Sequence, residues 1–127
     1  MLRCVRVYTD SRGQVQAQEG TLKYDEAERG DFTTAQMSAN KVFFRHTPAG
    51  LASAWHPDPN RQLVVTLKGH LAFETEAGQH FEIRAGDVLF TEETGWKGHR
   101  WRMIGDEPWV RVYITLPQDA VVPFMEN

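Results

Sequence analysis

Two stretches decide the fold of this chain: residues 55–70, WHPDPNRQLVVTLKGH, and residues 86–99, GDVLFTEETGWKGH. In the first stretch, Pro57 and Pro59 cannot donate to a β-ladder, so the strand before them ends there or lies at an edge. Residues 62–67 then form the clearest predicted strand of the chain. The second stretch opens with a Gly-Asp turn that leads directly into an apolar run. Both stretches therefore predict short strands separated by tight turns.

The same pattern continues in both directions along the chain. Apart from residues 62–67, strands are predicted at 3–8, 41–46, 51–56, 70–75, 81–84, 88–90, 98–104 and 109–116. Residues 14–40 are polar and weakly periodic, and they are interpreted as an arm that wraps the barrel or crosses to a second subunit. Eight or nine short strands with a helix content under roughly 10% predict an all-β sandwich or barrel.

Composition narrows the class of protein. A chain of 127 residues, 41% hydrophobic and 24% charged, is expected to form one globular domain. A net charge of −3 without a basic stripe argues against a nucleic-acid partner, and no stretch approaches the ~20 apolar residues of a membrane span. The N-terminus lacks the apolar segment of a signal peptide, and Cys4 is the only cysteine. These features favour a cytoplasmic protein with no membrane partner.

Polar residues in the first stretch carry a resemblance to the cupin family. The first cupin motif has two histidines one residue apart, then a glutamate and a closing glycine. His56 takes the first histidine position and Asp58 the second, while Gln62 takes the glutamate position and Gly69 the glycine position. The resemblance implies a small single-domain cupin, an all-β double-stranded β-helix of the jelly-roll type. Its conserved barrel would span about residues 41–116, between an arm at 1–40 and a short C-terminal tail.

The second stretch extends the resemblance to the other half of the candidate site. The second cupin motif starts with glycine and aspartate, continues as an apolar strand, and ends at a third histidine. Residues 86–90 match that start, and His99 takes the histidine position after a longer loop. The resemblance then implies His56, Asp58, Gln62 and His99 as candidate ligands of a divalent metal, with iron, manganese, zinc and nickel as candidates.

Two interpretations of this set stay open at the level of sequence. Two histidines and a carboxylate are a usable metal set, and the resemblance then implies an enzyme of the dioxygenase, isomerase or decarboxylase type. Alternatively, Asp58 is a turn former, Gln62 hydrogen-bonds His56 and His99 is a core histidine. The chain would then be a metal-free module that binds or senses a small ligand without catalysis.

The surroundings of the site are also predicted. Trp101 has the same strand parity as His99, and Val64 the same parity as Gln62, so each pair is expected on one face. The predicted lining of a small-molecule pocket is Phe44, Val64, Phe90, Trp101 and Met103. The nearest cations are Arg45 and Arg61, which would suit a carboxylate or phosphate ligand. The loop carboxylates Glu92 and Glu93 are expected in solvent, with a role as base or extra ligand as the alternative.

A homodimer is expected from the edges of the fold. A jelly roll leaves edge strands, and such edges invite pairing. More than thirty weakly structured residues separate the N-terminal strand from the barrel motifs, so that strand is expected to be ordered by packing. Small cupins commonly pair through sheets and arms, and the resemblance implies the same here, with Cys4, Val5 and Val7 at or near the interface. The alternative is that this strand completes its own barrel.

Overall fold

The computed structural model describes the whole chain except residues 27, 93, 94 and 96 and the side chain of Glu28. In that part of the chain, one 3-10 turn at Glu28–Gly30 is the sole helical element, and no helix has the length and apolar character needed to cross a membrane. The strands are β1 (Leu2–Thr9), β2 (Val15–Leu22), β3 (Asp25–Glu26), β4 (Phe32–Thr33), β5 (Val42–Thr47), β6 (Gln62–Lys68), β7 (His70–Thr75), β8 (His80–Arg84), β9 (Val88–Thr91), β10 (His99–Met103), β11 (Trp109–Thr115) and β12 (Phe124–Glu126).

Two sheets face each other. The larger has seven strands in the order β12-β2-β1-β9-β6-β11-β5, and the smaller has three in the order β10-β7-β8. Neighbouring strands are antiparallel, apart from β1 and β9, which run parallel. Residues 51–56 run beside β10 and touch it through bridges at Ala52 and His56. The predicted jelly-roll barrel is therefore confirmed, with one parallel pair in an otherwise antiparallel fold.

The barrel core lies between the two sheets. Side chains alternate across a strand, so every second residue of the large sheet faces inward. The residues of this core, contributed by both sheets, are Val5, Val7, Val15, Val64, Leu71, Phe73, Phe81, Ile83, Leu89 and Trp109. Burial of a side chain of this size contributes about 1.5–3 kcal/mol, so this cluster is the main source of stability.

A second apolar cluster covers the opposite face of the large sheet. It joins Cys4, Leu63 and Phe90 of the sheet to the C-terminal segment, which contributes Ala120 and packs Phe124 against the same cluster. Both ends of the chain are therefore fixed to the barrel by hydrophobic packing, and the central strands of the sheet, such as β1 and β9, are buried on both faces.

The region expected to be an arm contains a long strand. Residues 15–22 form β2 and pair with all eight residues of β1, where Val15 and Leu22 are buried near the two ends. The polar residues between them hide the alternation that marks a strand, so the sequence pattern was too weak to predict it. By contrast, residues 51–56, predicted as a strand, form isolated bridges only.

The N-terminal strand completes the sheet of its own barrel. Cys4, Val5 and Val7 are fully buried, and β1 lies between β2 and β9. The expectation that these three residues lie at a dimer interface is therefore wrong. The edge strands of the large sheet are β12 and β5, and on β5 the side chains of Val42 and Phe44 are 60% and 70% exposed.

The buried thiol gives a direct test of this placement. Burial raises the pKa of Cys4 to about 12, and the thiolate is the form that reacts. We expect a thiol-reactive dye to label the native protein about a hundredfold more slowly than the urea-unfolded protein. A matched control is Ser11→Cys in a Cys4→Ser background, since Ser11 lies in an exposed turn. Labelling of native Cys4 as fast as that control would mean that β1 is not held in the sheet.

Candidate metal centre

Four polar side chains of the two sequence motifs line one narrow cavity inside the barrel. His56 and Asp58 come from the segment before β6, Gln62 begins β6, and His99 begins β10. The remaining lining residues are Val64, Phe73, Leu89, Trp101, Trp109 and Tyr113. The cavity volume is about 30 Å³, enough for about two water molecules or an ion but far below the ~300 Å³ of a drug-sized site.

A backbone clasp brings the two histidines together. The His56 N–H donates to the His99 carbonyl and the His99 N–H donates to the His56 carbonyl, both at 3.0 Å. The imidazole centroids are 4.6 Å apart. Gly98 makes this approach feasible, since its φ is +76° and a Cβ there would lie 2.0 Å from the His56 carbonyl oxygen. The glycine before the second histidine is therefore required by the geometry of the site.

Three of the side chains have the spacing of a metal set. One ligand atom from each of His56, Asp58 and His99 lies within 4.8 Å of the other two. The His99 Nε2 and Asp58 Oδ2 atoms are 3.6 Å apart, too far for a good hydrogen bond. Two ligands that each lie about 2.1 Å from one tetrahedral ion are roughly 3.4 Å apart. The observed spacing therefore fits two ligands of a shared ion.

His56 is oriented by its own loop. Its Nδ1 lies 2.9 Å from the Ala54 carbonyl oxygen. A carbonyl can only accept, so Nδ1 carries the proton, and in neutral His56 the lone pair is on Nε2. Metal-binding histidines usually donate their second ring nitrogen in this way, which fixes both tautomer and ring direction.

His99 is a neutral imidazole held away from solvent. It is 3% exposed, and burial, together with the proximity of His56, lowers its pKa to about 3. The neutral form is the one that binds a metal ion. Its Nδ1 is buried and has no hydrogen-bond partner among the described residues. An unsatisfied buried nitrogen costs about 1–3 kcal/mol, and such a group is commonly explained by a water molecule or an ion.

Burial also acts on the carboxyl of Asp58. It raises the pKa of Asp58, while His56 acts in the opposite direction. Because His99 is neutral at pH 7, its contact with Asp58 is not an ion pair. A cation among these three side chains would favour the ionised carboxylate, so the electrostatics of the site suit a divalent metal.

The predicted pocket residues divide by the face on which they lie. Val64 and Trp101 line the cavity. Phe90 packs in the second cluster on the other face of the sheet. Phe44 is also outside, because Phe43 is the β5 residue that stacks on Tyr113 of the cavity wall. The prediction of Phe44 and Phe90 as pocket residues is therefore wrong. In each strand the adjacent residue faces inward, so a shift of one residue places the side chain on the opposite face.

Other cavity residues differ from the sequence prediction as well. Met103 packs against the barrel core and is not among the lining side chains. Phe73, Leu89, Trp109 and Tyr113 line the cavity and were missed. Two of them, Trp109 and Tyr113, could have been assigned to one face of β11 from the alternation of side chains along that strand.

The loop carboxylate Glu92 lies on the outer face and takes no part in the site. It accepts hydrogen bonds from Arg6, and its Oε1 lies 3.6 Å from Nε of Arg61. The alternative role of Glu92 as a base or extra ligand is wrong because these two arginines hold it on the outer face, where its side chain stays partly exposed. Arg61 is turned away from the cavity for the same reason. Glu93 lies outside the described residues.

Comparison with known proteins adds one finding. A family model described as Cupin domain matches residues 42–115. This segment contains all four candidate ligands and leaves out β1, β2 and β12. No curated protein matches the chain at a significant level.

The role of Gly98 can be tested against a second glycine. Gly78 has a φ of +89°, but no atom lies within 4 Å of the position that a Cβ would take, so Gly78→Ala carries backbone strain alone, about 1–2 kcal/mol. We expect Gly98→Ala to lose more stability in urea unfolding and to lose hydrogen-exchange protection of the His56 and His99 amides. If Gly98→Ala retained that protection, the clasp would not depend on the glycine.

Proposed function

We propose that this chain, which belongs to the cupin family, binds one divalent metal ion inside its barrel and presents it to a small molecule. The proposed ligands are His56, Asp58 and His99. The observation that carries the proposal is the convergence of their ligand atoms within 4.8 Å. Further support comes from the Ala54 carbonyl, which leaves the Nε2 lone pair of neutral His56 available.

The donor set departs from the family pattern in a way that preserves its charge. Three histidines and a glutamate carry one negative charge when ionised. Two histidines, Asp58 and the neutral Gln62 carry the same charge, because aspartate appears at a histidine position while glutamine replaces the glutamate. The carboxylate has in effect moved from one position to the other. This charge supports a divalent cation, and the N,O ligands suit iron, manganese, nickel or zinc.

The chemistry follows from the ligands and the walls. A bound divalent metal supplies Lewis-acid polarisation of an oxygen atom. Trp101 and Trp109, whose ring centroids are 5.1 Å apart in edge contact, form aromatic walls beside the donors. A volume of about 30 Å³ restricts entry to a small reacting group. Reactions of the dioxygenase, isomerase or decarboxylase type are consistent with this arrangement.

A second candidate function is metal-free binding on the outside of the small sheet. A groove of about 360 Å³ lies there, large enough for a small organic molecule. Its lining includes the charged residues Glu74, Arg100 and Arg102, of which Arg100 already pairs with Glu74. Under this alternative the chain would be a binding or sensing module without catalysis, and it would hold no metal.

We also propose that the chain forms a homodimer through β5. No strand of the described chain covers the outer edge of β5, and an exposed edge readily pairs with another copy. Val42 and Phe44 provide exposed apolar area beside that edge. A two-fold axis would then join the two large sheets edge to edge.

Metal content is the first test of the proposed function. We expect purified protein, incubated with zinc and then dialysed, to retain about one ion per chain. His99→Ala should lower this content at least about tenfold, since it removes a buried ligand. The matched control is His80→Ala, whose side chain is 72% exposed and is not among the described residues that line the cavity.

A variant that adds a ligand tests the same site in the opposite direction. Gln62→Glu adds a carboxylate to the cavity, so we expect tighter metal binding and, without metal, a less stable protein. Equal metal content in the wild type, His99→Ala and His80→Ala would contradict the proposed centre. Absence of bound metal in all of them would favour the metal-free candidate.

The dimer is tested by light scattering. We expect a mass of about twice the 14.5 kDa chain mass at micromolar concentration. Phe44→Ser should shift the protein toward monomer, whereas Val121→Ser, at a 79% exposed residue of the C-terminal tail, should not. A monomeric wild type, or a dimer unaffected by Phe44→Ser, would rule out pairing at β5.

A further inference from the structure

The inner face of β11 carries a buried cation without an acidic partner. Arg111 is 3% exposed, and no carboxylate of the described residues pairs with it. Its Nη1 donates to the Thr47 hydroxyl at 2.6 Å and to the Trp109 carbonyl at 3.2 Å, and its Nε donates to the Tyr113 hydroxyl at 3.2 Å. All three acceptors are neutral. Buried arginines are normally paired with a carboxylate, so the neutral surroundings of Arg111 need an explanation.

A second arginine faces the first. Arg45 is the direct partner of Arg111 in the β5–β11 ladder, and directly opposite residues point to the same face. Arg45 is exposed, and it too has no carboxylate partner in the part of the chain that the structure describes. Like charges directly opposite each other destabilise a sheet. Burial lowers the pKa of Arg111, and Arg45 acts in the same direction, but the guanidinium stays charged at neutral pH.

The arginine pair lies next to the proposed metal site. The guanidinium carbon of Arg111 is 3.7 Å from the ring centroid of Trp109, and that of Arg45 is 5.1 Å from the ring centroid of Tyr113. Trp109 and Tyr113 both line the cavity that holds His56, Asp58 and His99. A group bound by both arginines would therefore sit beside the metal ligands, separated from them by one layer of aromatic side chains.

We propose that Arg45 and Arg111 form a clamp for the carboxylate of a small organic acid. A guanidinium presents paired donors that match the two oxygens of a carboxylate, and an anion between the arginines would relieve their repulsion. The Tyr113 hydroxyl accepts a hydrogen bond from Nε of Arg111. The clamp rests on the proposed function only in naming an organic acid as the molecule that binds beside that site, while anion binding itself needs no metal.

A purely structural role would account for part of this arrangement. Arg111 stacks on Trp109 and ties β11 to Thr47 of β5, which stabilises the edge of the sheet. That role does not require a second cation at Arg45, where a neutral residue would avoid repulsion. The two explanations differ in what Arg45 does, so the decisive variant is at Arg45.

The experiment titrates benzoate and acetate into protein from which metal has been removed with a chelator. Benzamide and acetamide are the matched uncharged probes, and inorganic phosphate tests the other common oxyanion. Calorimetry gives the affinity, and tryptophan fluorescence reports on the site through Trp109. We expect the carboxylates to bind and the amides not to bind. Arg45→Gln should weaken carboxylate binding at least about tenfold, while Arg84→Gln, an exposed arginine of β8, should leave it unchanged.

Three outcomes would overturn the clamp: equal binding of benzoate and benzamide, benzoate affinity unchanged in Arg45→Gln, or phosphate bound more tightly than either carboxylate. Arg111→Lys is the second variant and should also weaken binding, since an ammonium lacks the paired donors. If Arg111→Lys does not fold, the Arg45→Gln result decides alone. Arg45-dependent carboxylate binding by metal-free protein supports the clamp even if no metal is ever retained. Retained metal without such binding rejects the clamp and leaves the metal centre standing.

Discussion

The reciprocal hydrogen bonds between His56 and His99 are the constraint on which the site depends. They join a segment rich in proline to the start of β10, and they do so through main-chain atoms, so the contact does not depend on the imidazoles themselves. Gly98 is the residue that lets the two backbones approach. Once the clasp is closed, Asp58 follows two residues after His56 and lies within reach of His99. The barrel core holds the strands, but this clasp sets the positions of the donors.

Charge is distributed unequally between the two faces of the large sheet. On the outer face, Glu92 is held by Arg6 and Arg61, so acid and base cancel locally. Around the cavity the charges are separated. Asp58 and the neutral His99 lie at the cavity, while Arg45 and Arg111 lie behind its aromatic wall. A cation at the first position and an anion at the second would each lower the electrostatic energy, which suits a metal ion and an acidic ligand bound side by side.

Much of the barrel was predictable because its strands alternate clearly. Val64 and Trp101 were placed correctly from parity with Gln62 and His99. Phe44 and Phe90 were not, since a parity error of one residue moves a side chain to the other face and nothing in the local sequence reveals it. The strand β2 was missed because its middle residues are polar. β2 is held as a strand by pairing with β1 along its full length, and this pairing cannot be recognised from the local sequence pattern.

Only the candidate ligands that belong to the two sequence motifs could be predicted. His56 and His99 could be paired from the family pattern, but the Ala54 contact and the Gly98 approach depend on loop geometry. Only one of the two arginines could be identified from the sequence. Arg45 was recognised as a cation near the motifs, whereas the sequence around Arg111 is that of an ordinary alternating strand with an exposed arginine. Its burial follows from the neighbours that β5 and β6 bring to it, which no local pattern encodes.

The most direct test of the central claim is the long-range ¹H–¹⁵N spectrum of the histidine rings, recorded before and after addition of one equivalent of zinc. Before addition, His56 should be protonated on Nδ1 when neutral, and His99 should remain neutral down to about pH 5, well above its lowered pKa. After addition, Nε2 of His56 and one ring nitrogen of His99 should shift to values typical of ligated imidazole. The rings of His46, His70 and His80 should not change. Zinc shifts confined to those three histidines, or no ring shift at all, would contradict the account.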